Sequence, residues 1–110
     1  MELTVKERII LQQVLPKAGK DYVTLALAEQ LMKKLVFTEA EIEEIELKAN
    51  DAGGLAWKAS APDFTIPMGV KTVEIVKKAL LEMEKADPPK LTVDHLSLYR
   101  KFVGTPAVED

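Results

Sequence analysis

Apolar residues recur at helical spacing in five stretches of this chain, with an interval of extended character between the third and fourth. Thr4 followed by Glu7 is a capping box, in which each side chain satisfies an orphan backbone N–H at a helix start. It predicts a helix over about Val5 to Val14, ended by Pro16 and Gly19. Val5, Ile9, Ile10, Leu11, Val14 and Leu15 spread almost all round its wheel, so this helix belongs at the centre of a core. Thr24 is the N-cap candidate of a second helix, Leu25 to Leu35, with Ala28, Leu31, Met32 and Leu35 on one face. Thr38 and Glu41 form another capping box and open a short acidic helix from Glu39 to about Ile45, anchored by Ile42 and Ile45.

The pattern then changes. Glu46 to Ala49, the turn Asn50-Asp51-Ala52-Gly53-Gly54, and Leu55 to Lys58 read as strand, turn, strand, with Leu47 and Trp57 on one face. Phe64-Thr65-Ile66 is a third extended piece; Pro62 and Pro67 bracket it, so it is an edge or a bridge. A long fourth helix follows over about Val70 to Lys85, its core stripe being Val73, Val76, Leu80 and Met83. Thr92 caps a fifth over Val93 to Phe102, with Leu96, Tyr99 and Val103 along one edge, and Gly104 ends it. The pattern predicts a single α+β domain over residues 1–104. It has about five helices and a small antiparallel hairpin or three-stranded sheet before the fourth, and a loose tail follows at 105–110.

Composition narrows the function. A chain of 110 residues suits one core, and the absence of cysteine excludes disulfides, thiolate metal sites and cysteine nucleophiles. No apolar run approaches a membrane span, and no signal peptide opens the chain, so a cytoplasmic protein is expected. The net charge is -3. Its distribution matters more: Glu39, Glu41, Glu43, Glu44, Glu46 and Asp51 face Lys48 alone in one short segment. Such a segment is either a solvated face or a docking surface for a basic partner. Nucleic acid is not an expected partner, because phosphate neutralisation needs the opposite sign.

Candidate chemistry is sparse. His95 is the sole histidine, and its neighbour Asp94 points elsewhere on the helix. At the third position after Thr92, His95 is placed to reach back to the cap. The glutamates of the acidic helix lack the loop spacing of a calcium site, Gly53-Gly54 is a turn rather than a phosphate loop, and Ser60 and Ser97 sit in no nucleophile motif. The expectation is a non-enzyme with no cofactor and no metal. The helix at 24–35, its three-residue link and the helix at 39–46 have the lengths of a helix-turn-helix, which makes a transcription-related regulator the alternative reading. Its recognition helix, however, carries five glutamates and no base. Leu81 lies off the core stripe of the fourth helix, Ile75 sits at that stripe's edge and Trp57 is the sole tryptophan; with Glu39 and Glu43 they are the candidate interface for a protein partner or self-association.

Leu3-Thr4-Val5-Lys6-Glu7-Arg8, Leu15-Pro16, Thr24-Leu25, Phe37-Thr38-x-x-Glu41, Trp57 and Leu91-Thr92-x-x-His95-Leu96-Ser97-Leu98-Tyr99-x-Lys101-Phe102 resemble small uncharacterised proteins of phages and prophages. The resemblance spans nearly the whole chain and consists of caps, core positions and turns. It implies a phage-type accessory or inhibitor protein acting in a host cytoplasm, and it brings no catalytic or ligand-binding residue.

Overall fold

Capping chemistry decides where the helices start. In the computed structural model, which describes residues 1–105, Thr4 Oγ1 accepts the Glu7 N–H at 3.1 Å and Glu7 accepts the Thr4 N–H at 2.9 Å. This exchange opens α1 (Val5–Val14). Thr38 and Glu41 repeat it at the head of α3 (Glu39–Ile45). Between them, α2 (Tyr22–Leu35) begins nearly a turn earlier than expected. Asp21, not Thr24, is the N-cap, its carboxylate accepting the Thr24 N–H at 2.8 Å. Aspartate is the stronger cap, and the earlier start brings Tyr22 and Val23 into the helix.

α3 ends in a Schellman motif rather than running into a strand. The Leu47 N–H reaches Ile42 O at 3.0 Å, the Glu46 N–H reaches Glu43 O at 3.3 Å, and Glu46 sits in the left-handed region at φ 54°. A glutamate pays for its Cβ there. Glu46→Gly is expected to stabilise the fold by about 0.5–1 kcal/mol, read as a higher urea midpoint at unchanged slope.

The extended segments form two separate two-stranded sheets. β2 (Lys48–Ala49) and β3 (Leu55–Ala56) make the expected hairpin, closed by Asn50 N–H to Gly54 O at 2.9 Å. Its register places Leu47 opposite Trp57, both half-buried. The third extended piece, β4 (Phe64–Thr65), does not join the hairpin. It pairs antiparallel with the N-terminal β1 (Glu2–Leu3), tying the start of the chain to its middle.

α4 (Val70–Lys85) follows, then a 3₁₀ turn (Val93–His95) running into α5 (Leu96–Phe102). In α5 the buried side chains are Leu98 and Phe102, flanked by Tyr99 and Val103; Leu96, expected on that edge, is exposed. α1 touches α2, α4 and α5, which makes it the central helix, and its Leu11 packs with Leu31, Leu35, Val76, Leu80 and Leu98. α2 and α4 lie side by side and antiparallel: Lys20 meets Glu82 at one end, and Lys34 Nζ donates to Pro67 O at the other. Among the described residues, no helix is long and apolar enough to cross a membrane. The tail expected at 105–110 lies outside the described residues beyond Thr105.

Candidate functional site

Two charged residues of α1 are almost entirely buried, Glu7 and Arg8, each 3% exposed. Arg8 reaches the end of α2, whose last carbonyls have no helical partner. Its Nε donates to Leu35 O at 2.7 Å, and one terminal nitrogen donates to Lys34 O and Val36 O at 3.2 and 3.0 Å. The fork also grips the Glu41 carboxylate at 2.7 and 3.1 Å, while Phe37 and Phe64 hold the guanidinium plane at 4.1 and 4.8 Å. The hydrogen bond from Arg8 holds Glu41 well below its usual value, at about 2. Burial alone would raise the Glu7 carboxyl. Hydrogen bonds from Lys101, at 2.6 Å, and from the Thr4 N–H outweigh it and leave Glu7 lowered. Each charge is thus spent on holding elements together.

The other displaced groups have similarly structural causes. Asp21 is lowered by the Thr24 N–H it caps, Asp94 by Lys6 at 2.8 Å, and Tyr99 is raised by burial and by Glu84. His95 Nδ1 accepts the Thr92 N–H at 3.0 Å, so the sole imidazole closes the cap of its own turn. Glutamine can make the same reach, and His95→Gln is expected to shift unfolding by about 1 kcal/mol or less. Among the described residues, no three of His, Asp and Glu cluster as metal ligands would.

One groove of about 430 Å³ lies between α2 and α4. Val23 and Leu27 from α2 and Ile75 and Ala79 from α4 supply its apolar floor. Lys71, Glu74, Lys78 and Glu82 line the α4 side, with Lys20 and Asp21 at one end. Of the five residues expected at an interface, the groove gathers only Ile75. Leu81 is half-buried on the same helix, six residues on and therefore turned well away from Ile75. Trp57 follows β3, which the Lys58 N–H ties to Ile45 O at the end of α3, and exposed Glu39 and Glu43 lie on α3 itself. Trp57 and the two glutamates therefore belong to the α3–hairpin end and not to the groove. Sequence reading missed Val23 and Leu27, whose i, i+4 spacing marks a second apolar stripe once the helix is begun at Tyr22.

α3 presents Glu39, Glu43, Glu44 and Glu46 to solvent. Pushed toward a duplex, that surface meets phosphate repulsion. No saturable shift of duplex DNA is expected at micromolar protein and physiological salt. No family model matches the chain, and no curated protein or solved structure matches it.

Proposed function

We propose that the protein is a non-catalytic protein-binding module that takes an apolar helical surface into the groove between α2 and α4. The observation that carries this reading is the groove itself: an apolar floor of Val23, Leu27, Ile75 and Ala79, rimmed by charges of both signs. Helix-in-groove recognition uses that anatomy, with apolar anchors for affinity and rim charges for register. The displaced carboxyls and the lone histidine, by contrast, are occupied by caps and ion pairs. The resemblance to phage and prophage proteins supports an accessory or inhibitory role, and with it a place in a host cytoplasm.

The test is capture from bacterial lysate with wild type and Ile75→Lys as paired baits, circular dichroism serving as the folding control. Ile75 is half-buried and outside the main core, so the variant is expected to fold. A protein retained by wild type and lost with Ile75→Lys supports the reading. Retention indifferent to the substitution, or no retained protein together with a wild type that stays monomeric, overturns it.

A further inference from the structure

α4 carries Lys71, Glu74, Ile75, Lys78 and Glu82 along the side that lines the groove. The four charged positions, Lys71, Glu74, Lys78 and Glu82, step by three or four residues and form one stripe along the helix, with Ile75 beside it. Read forwards the charges run plus, minus, plus, minus; read backwards they run minus, plus, minus, plus. Such a stripe is complementary to itself when two copies meet antiparallel about a two-fold axis that crosses the helices, one of the arrangements open to a homodimer.

From that juxtaposition we propose that the occupant of the α2–α4 groove is a second copy of this chain, its α4 lying antiparallel to the first about an axis beside Val76 and Lys77. The inference rests on the groove being a protein-binding surface and names its partner. In this arrangement Lys71 faces the partner's Glu82, and the stem of Lys78 crosses the partner's Ile75 so that its ammonium meets the partner's Glu74. Ile75 and Ala79 pack near the axis against Val23 and Leu27 across it, turning two antiparallel helix pairs into a four-helix layer. The Lys20–Glu82 pair already in the groove is exposed, so water and the incoming Lys71 compete for it freely. Two helices about 24 Å long and about 10 Å apart offer roughly 500 Å² per copy, the small end of specific interfaces. The dimer is therefore a micromolar one.

Charge reversal tests this with purified protein. Glu74 and Lys78 are both exposed, so Glu74→Lys and Lys78→Glu should each leave the monomer folded by circular dichroism. Wild type should sediment as a concentration-dependent dimer with a dissociation constant of roughly 10–100 µM. Each variant alone places like charges opposite one another twice and should weaken dimerisation on the order of tenfold or more. Mixed one to one, the two variants oppose lysine to glutamate at both positions, so a heterodimer should form at near wild-type affinity. A wild type that stays monomeric to roughly 500 µM, or a mixture no better associated than its components, overturns the second copy as occupant. The lysate experiment with Ile75→Lys still decides separately whether the groove binds some other protein.

Discussion

Arg8→Met should cost about 3–5 kcal/mol of unfolding free energy, enough to leave a domain of this size marginal or unfolded at room temperature. The guanidinium is buried and makes five hydrogen bonds, three to the carbonyls of Lys34, Leu35 and Val36 and two to Glu41. Methionine fills a similar volume between Phe37 and Phe64 but satisfies none of those acceptors. Gln12, which donates to Leu35 O at 3.1 Å, can retain one. The penalty is mostly the desolvation of groups left without a donor, not the removal of a surface ion pair. Arg8→Lys should recover less than half of it, because one ammonium on a flexible stem cannot serve carbonyls and a bidentate carboxylate together. Urea titrations of the three proteins measure this directly. A loss under about 1 kcal/mol for Arg8→Met would mean that the three carbonyls and Glu41 find water without cost.

Arg8 also shows why some of the molecule is legible in its sequence and some is not. The capping boxes Thr4–Glu7 and Thr38–Glu41 can be read because both partners lie within one turn, and the propensity and spacing rules concern that range. The hairpin can be read for the same reason, its turn carrying Gly53 at φ 83°. Arg8 reads only as a charged residue in a strongly apolar helix, since its partners lie 26 to 33 residues away. Likewise β1 is two residues long and finds β4 across most of the domain, so no local alternation announces it. The groove falls between these cases. Its α4 stripe of alternating charge is present in the sequence, but only the antiparallel placement of α2 beside it makes a site. Leu81 stands out because it misses a core stripe and Trp57 because it is the sole tryptophan; neither property brings residues together.

Lys101→Met should destabilise the protein by about 2–4 kcal/mol at neutral pH and by much less near pH 4. In the wild type both cap glutamates lie below the usual glutamate value of 4.5, Glu41 at about 2 because of Arg8, and Glu7 because its hydrogen bonds from Lys101 and Thr4 outweigh burial. A lowered carboxylate contributes stability that is complete above 4.5 and is lost as the pH falls toward its folded value. Wild type should therefore weaken on acidification below about pH 4.5, and Glu41→Gln should flatten part of that loss. Removing Lys101 leaves burial, the largest influence on Glu7, without its main counterweight, while one carboxylate oxygen already has no hydrogen-bond partner. The Glu7 pKa then rises, and the stability that its lowering supplied above about pH 4.5 shrinks. The variant has less of this contribution to lose on acidification, while Glu41 weakens both proteins alike. The two proteins should accordingly converge as the pH is lowered and diverge toward neutrality. Urea midpoints of wild type and Lys101→Met at pH 7 and pH 4 decide it. Curves that run parallel between those values would show that Lys101 contributes to packing alone and that Glu7 is neutralised by something other than its ammonium.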